Sequence, residues 1–375
     1  MESIKVGVLF SQSGAMAVSE NAHLKGILLA CDEINAAGSA GGRMIEPVIL
    51  DPAGSDQRYA QLATELLLRH RVDAIFGCCL STSRKAVLPI VERFNGILFY
   101  PSVYEGFEYS PNVIYGGAVP NQVIVPLLEY VFEHHGKNIA LIGSDTLYAR
   151  EINRIVMEFV ADSGGRIVGP RYFEFGTQPG EFAPFLQSIR DQGASAIVST
   201  TVGDESVRLY DCHSRFGDEG LPPIASLTTT ESELARMPAA ARKGHLSVLP
   251  YFGALDQPDS GRFRQAFARR FGAQSCPGVY SEVCYTQMHV YAQAVARLGT
   301  TDTQAVLAAL PEIVFKSPSG DARLDADTNH FLLRPLVGLS RENGEFDVVW
   351  RSPHVVRADP YLIAYDRSIG QRVPV

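Results

Sequence analysis

Apolar runs of strand length alternate with amphipathic runs of helix length through the first third of this chain, and that regularity leaves few folds open. Ile4 to Phe10 ("IKVGVLF") is almost continuously apolar. After the turn "SQSG", a 3.6-residue pattern from about Glu20 to Ala36 puts Leu24, Ile27, Leu28 and Cys31 on one face, until "AAGSAGG" breaks it. "PVIL", "SDQRYAQLATELLLRH" with Ser55 or Asp56 as N-cap, "DAIFGC", "STSRKAVLPIVERF", "ILFY" and "NVIY" continue the alternation. Strands that are apolar on both faces and separated by helices predict a parallel sheet with crossover helices, a Rossmann-like α/β lobe.

The pattern then repeats. "NIALIGS", "RIVGPRYF", "AIVSTTV" and "PIASL" read as strands. They are separated by "YAREINRIVMEFVADSG", "PFLQSIRDQG" and "DESVRLYDCHSRFG", which read as helices. "SVLPYFGALDQPDS" reads as irregular, and two helical patterns follow, Arg262 to Arg270 and Ser281 to Leu298. The second lobe already has its helices, so these are expected to cover the first. At 375 residues the chain exceeds the size of most single cores. The expected division is therefore residues 1–119 plus 251–327 in one lobe and 120–250 plus 328–375 in the other, with three crossings and a ligand cleft between the lobes. "RPLVGLSRENGEFDVVWRSP" reads as a hairpin around "ENGE".

Composition removes several functions. A net charge of −8, with dispersed Lys and Arg, argues against a nucleic-acid surface. No apolar run reaches the length of a membrane span. The six cysteines show no C-x-x-C pair and no zinc spacing, so they read as reduced, buried thiols. No G-x-S-x-G, H-E-x-x-H, Walker A or G-x-G-x-x-G motif stands at a strand end, and no histidine follows a strand where a base would face the cleft. A non-enzyme that requires no cofactor is expected. "MESIKVGVLFSQSG" enters a strand pattern directly, which predicts a cytoplasmic protein; removal of an export signal would instead place it in the periplasm.

Parallel sheets present ligands at the carboxyl ends of their strands, and hydroxyl-bearing residues collect there. Cys79 and Ser81 follow "DAIFGC", while Tyr100, Pro101 and Ser102 end "ILFY" and continue past it. Thr146 and Tyr148 follow "NIALIGS", and Val202, Gly203 and Asp204 follow the strand in "AIVSTTV". Ser81 at a helix start is expected to add its hydroxyl to the first free N–H groups as donors toward a ligand. Capping is an equal reading for Ser81 and Ser102, core packing for Tyr100, and helix N-capping for Asp204. Arg84 and Lys85 fall inside the following helix and read as a solvated or packing face. A pocket of Ser, Thr and Tyr suits a neutral polar ligand such as a primary amide.

The blocks "GCCLSTSRKAVLPIVERFNGILFYPSVYEGFEYSPNVIYGGAVPNQ", "LIGSDTLYARE", "PPIASLTTTESELA" and "VVWRSPHVVRADPY" resemble the amide-sensing negative regulators of bacterial aliphatic amidase operons. They are more distantly similar to urea-binding proteins of ABC transporters. The resemblance implies the type I periplasmic-binding-protein fold and a small amide or urea-like ligand. It also implies a protein partner, either an RNA-binding antitermination regulator or, for an exported protein, an ABC permease; self-association is left open. Through it, Ser81 matches the serine that meets the amide oxygen, Tyr100 a cleft tyrosine, and Ser102 a threonine. Tyr148 matches the second of two tyrosines whose first is Thr146 here, and Cys79 stands where a further tyrosine is expected. Asp204 resembles the Gly-Asp of the urea-binding relatives.

Overall fold

The computed structural model describes residues 3–217 and 220–363. In chain order the first segment runs β1 (Ile4–Leu9), α1 (Ala17–Ala37), β2 (Ile45–Leu50), α2 (Asp56–Glu65), β3 (Ala74–Gly77), α3 (Ser81–Arg93), β4 (Leu98–Tyr100) and β5 (Val113–Tyr115). The next gives α4 (Pro120–His134), β6 (Asn138–Ser144), α5 (Leu147–Asp162), β7 (Arg166–Phe173), α6 (Pro179–Asp191), β8 (Ala196–Thr200), α7 (Asp204–Ser214), β9 (Ile224–Ser226), α8 (Glu231–Leu234) and β10 (Leu246–Leu249). Then come α9 (Pro258–Phe271), α10 (Val279–Leu298), α11 (Thr303–Ala309), β11 (Phe315–Ser317), β12 (Gly320–Ala322), β13 (Leu324–Asp325), β14 (His330–Phe331), β15 (Leu336–Ser340) and β16 (Phe346–Arg351).

The elements form two compact units. The first holds residues up to Ala118 together with Leu255–Leu333, around a sheet of order β13-β14-β5-β4-β3-β1-β2. The second holds Val119–Ala254 and the chain from Arg334, around a sheet of order β16-β15-β10-β9-β8-β6-β7. Strands β1 to β5 pair in parallel in the first sheet and β6 to β10 in the second. Every residue of β3, β4, β5, β8, β9 and β10 is buried, as expected for strands covered on both faces. The hairpin expected around "ENGE" forms as antiparallel β15 and β16.

Several expectations need correction. "SVL" is not irregular, because Leu246–Leu249 forms β10 and pairs with β9 and β15. Helix α4 was not read from the sequence, since Pro126 interrupts an otherwise apolar pattern. The crossings fall after Ala118, Ala254 and Leu333, not after residues 119, 250 and 327. Phe252 stays with the second unit, where its ring packs on Phe346 at 4.8 Å. His330 pairs with Tyr115 of β5 and so belongs to the first. Residues 364–375, expected in the second lobe, lie outside the described residues.

Helices α9 and α10 do belong to the first unit. α10 lies against α1 at Gly26, where a Cβ would stand 2.1 Å from the Ser281 carbonyl oxygen, and Ser281 Oγ donates to the Ala22 carbonyl at 2.7 Å. Only glycine allows that approach. Gly117 acts similarly at the candidate site: a Cβ there would lie 2.0 Å from the backbone of Ser102.

Candidate functional site

In the first unit the site is built on the turn from β3 into α3. Cys78 adopts a left-handed φ of 69°, which reverses the chain after β3. Leu80, in extended conformation, is the N-cap, and Ser81 is the first helical residue. Ser81 is therefore not the cap. That task falls to Ser83, whose Oγ donates to the Leu80 carbonyl at 2.7 Å and accepts from Cys79 N at 3.4 Å.

The Ser81 hydroxyl points elsewhere: it donates to Glu105 Oε2 at 2.5 Å. The expectation of a free donor is thus corrected, because the one hydroxyl hydrogen is already engaged. Glu105 Oε1 in turn accepts from Arg84 Nη2 at 3.1 Å, and Arg84 Nε donates to Glu108 Oε1 at 2.6 Å. Arg84 is not on a solvated face. Its side chain is 0% exposed, and its guanidinium lies 4.8 Å from the Tyr100 ring centroid and 4.5 Å from that of Tyr104. Burial works against the charge, but Tyr100, Glu105 and Glu108 outweigh it and hold the guanidinium more firmly protonated than usual. Desolvation likewise opposes ionisation of Glu108, yet Arg84 and Lys85 keep its carboxyl below the ordinary range. Lys85, half exposed, completes the group with a 3.0 Å contact to Glu108 Oε2.

The remaining candidates of this unit are closed in. Tyr100 is fully buried and its hydroxyl donates to the Cys79 carbonyl at 2.8 Å, the packing role with a satisfied hydroxyl. Cys79 and Pro101 are buried. Ser102 Oγ lies 3.5 Å from both His23 Nε2 and the Cys78 carbonyl. Ser102 and His23 make the nearest approach to a nucleophile and base. His23, however, is stacked against Phe10 at 5.1 Å, and burial drives its pKa down to about 3, so it is a poor proton acceptor near neutrality. Beyond β1, Glu20 accepts from Ser11 N at 2.5 Å and from the Tyr59 hydroxyl, and burial pushes its carboxyl up to about 7.

In the second unit Thr146 caps α5, its Oγ1 accepting from Ala149 N at 3.1 Å, and Tyr148 is buried one turn in. Val202 donates its N–H to Ser144 Oγ at 3.1 Å. Asp204 is not the N-cap of α7. Gly203 is, with φ 59°, and Asp204 Oδ1 instead accepts from Arg236 Nη1 at 2.6 Å. Behind these residues the chain from Ser226 to Glu231 forms a buried hydroxyl-rich turn that sequence reasoning did not single out. Ser226 Oγ accepts from Thr228 N and Thr229 N at 3.1 and 2.9 Å. Glu231 Oε1 accepts from Gly253 N at 2.7 Å while Oε2 has no hydrogen-bond partner, and burial raises the carboxyl to about 7.

Among the described residues no group of three or more His, Cys, Asp or Glu is placed to hold a metal ion. No helix of the described residues is long and apolar enough to cross a membrane. The cysteines are free thiols, and Cys276 is exposed, against the expectation that all are buried.

Comparison with known proteins places this geometry in a family. A model described as a periplasmic binding protein domain matches residues 4–367. The chain belongs to this periplasmic binding protein family. A relative from Pseudomonas aeruginosa, "Leucine-, isoleucine-, valine-, threonine-, and alanine-binding protein", is 23% identical over 335 residues, 86% of each chain. The periplasmic binding protein fold is shared with the branched-chain amino acid transporter substrate-binding protein LivJ of Streptococcus pneumoniae, solved with isoleucine. That structure has a TM-score of 0.83 at 21% identity, covering 95% of this chain and 99% of that one. A solute-binding protein of an ABC transporter from R. palustris, solved with benzoate, has a TM-score of 0.84 at 19% identity over 96% and 99%. A further match is partial: 31% identity to "Limonene hydroxylase" of Geobacillus stearothermophilus over 120 residues, 32% of this chain and 22% of that protein. The chain thus spans about a fifth of that relative. The two α/β units with parallel sheets are those of the type I periplasmic binding proteins.

Proposed function

We propose that this protein is a non-catalytic solute-binding component of an ABC-type transporter that recognises a small neutral amide or urea-like solute and delivers it to a permease. One observation carries the neutral-ligand assignment: each cation beside the candidate residues is already neutralised. Arg84 and Lys85 pair with Glu105 and Glu108, Arg150 pairs with Asp145, and Arg236 pairs with Asp204. A ligand carboxylate would find no uncompensated side-chain charge there, whereas an amide needs only neutral donors and acceptors. The transport role is supported by the printed roles of the relatives, and under it the protein works in the periplasm.

A second reading keeps the same ligand chemistry. The blocks "YEGFEYSPN" and "PIASLTT" resemble cytoplasmic amide sensors that hold an RNA-binding antitermination regulator. Two experiments separate these possibilities. A calorimetric screen of propionamide, urea, isoleucine and benzoate should give binding for the first two; at a hundredfold excess over Kd the ligand adds about 2.7 kcal/mol of stability. Binding of only the carboxylates defeats the neutral-ligand assignment. Release of the native protein with the periplasmic fraction on osmotic shock supports the transport role, and retention in the cytosol supports the sensor.

A further inference from the structure

We propose that Ser81 meets its ligand as a hydrogen-bond acceptor and that Glu105 sets this polarity, so that an N–H of a primary amide or urea, not a carbonyl or carboxylate oxygen, lies against Ser81 Oγ. The proposal rests on the neutral-ligand reading above and specifies the orientation of that ligand.

The argument is a count of hydrogens. A serine hydroxyl carries one hydrogen and two lone pairs. In Ser81 the hydrogen points at Glu105 Oε2, 2.5 Å away. Glu105 is ion-paired through its other oxygen with Arg84 at 3.1 Å, and a carboxylate in an ion pair only accepts. It therefore cannot return a hydrogen to Ser81. Nor can Arg84 turn away to release Glu105. Its side chain is 0% exposed, bonded to Glu108 at 2.6 Å and covered by the rings of Tyr100 and Tyr104. The sequence Arg84, Glu105, Ser81 is thus a fixed relay that leaves only lone pairs free on Oγ.

Beside Oγ stand the first-turn N–H groups of α3, which an α-helix leaves without internal partners. Together the turn offers backbone donors next to one side-chain acceptor, the complement of O=C–NH2. A ketone fills the same volume but sets a methyl against the Oγ lone pairs. A carboxylate sets lone pairs against lone pairs. Glu105 is therefore a specificity-determining residue that acts through Ser81 without touching the ligand.

The test compares isosteres by titration calorimetry on the whole protein: propionamide, 2-butanone, which replaces the NH2 by CH3, and propionate. For the wild type we expect the ketone and the carboxylate each to bind about tenfold or more weakly than the amide, the effect of a buried acceptor left without a hydrogen. In Glu105→Gln the new amide can donate to Ser81 Oγ and turn the hydroxyl hydrogen toward the ligand. The amide-to-ketone ratio should then collapse to within about threefold, from the same loss of a fixed acceptor. The melting profile of the variant establishes that it folds, and the wild-type series decides the question if it does not. Equal binding of amide and ketone by the wild type overturns the inference while leaving the ligand class intact. Binding of none of the probes, urea included, overturns the neutral-ligand reading itself.

Discussion

Replacing Arg84 by methionine would expose what holds the first unit's site together. The substitution preserves much of the volume and the apolar stem but removes the cation between Glu105 and Glu108, whose side chains are 4% and 10% exposed. Breaking one partner out of a buried ion pair costs about 3–5 kcal/mol, because the remaining charge is stranded in a poorly solvating site. Loss of the contacts to the Tyr100 and Tyr104 rings adds about 0.5–2 kcal/mol, not fully additive with the first figure. A loss of about 4 kcal/mol follows, equivalent to roughly 8–16 °C for a unit of this size. Differential scanning calorimetry is the suitable assay, since two units need not melt as one and only the first unit's transition should move.

The pH dependence separates charge from packing. In the wild type, Glu108 has a lowered carboxyl pKa, so its stabilisation is present above the unfolded pKa and lost as pH falls. Without Arg84 the two carboxyls would have raised values in the folded state, and stability would be recovered as pH falls. The gap between wild type and Arg84→Met should therefore narrow from pH 7 to pH 5, and a Glu105→Gln change in the variant should restore part of the loss. A transition within about 3 °C of wild type, below the ~8 °C floor expected for a stranded charge, would refute the reasoning. So would a gap independent of pH.

Two other outcomes follow from the packing. Gly26→Ala should destabilise the first unit by about 1–3 kcal/mol in urea denaturation, as the added methyl forces α1 away from Ser281; an unchanged midpoint would show that the helices separate freely. His245 is fully buried, accepts from Ile224 N at 3.1 Å and is pushed by burial to about 3, below its unfolded value. Its folded form resists protonation, so the protein should lose up to about 1.4 kcal/mol per pH unit through this residue as pH falls from 6.5 toward 3. His245→Asn, which retains an acceptor near the position of Nδ1, should flatten that slope in denaturation series at pH 7 and 5; an identical slope would remove His245 as its source.

The architecture was legible in the linear pattern because strand and helix periodicities are local. Runs such as "IKVGVLF" and "AIVSTTV" carry enough apolar residues to require burial on both faces, and the amphipathic stretches between them leave parallel sheets as the consistent arrangement. Pattern was weaker where context decides: "SVL" is strand only because β9 and β15 flank it, and Asp204 looked like a cap because the left-handed Gly203 was not legible as one. The candidate turn "GCCLSTSRKAV" was found by its position after a strand, and its chemistry was misjudged. Ser81 looked like a free donor and Arg84 like a surface cation because their partners, Glu105 and Glu108, lie more than twenty residues away. Local sequence determines which segments become strands and helices and which residues end them. The direction of a hydroxyl hydrogen and the burial of a charge depend on partners brought close by folding, so only the tertiary structure decided them.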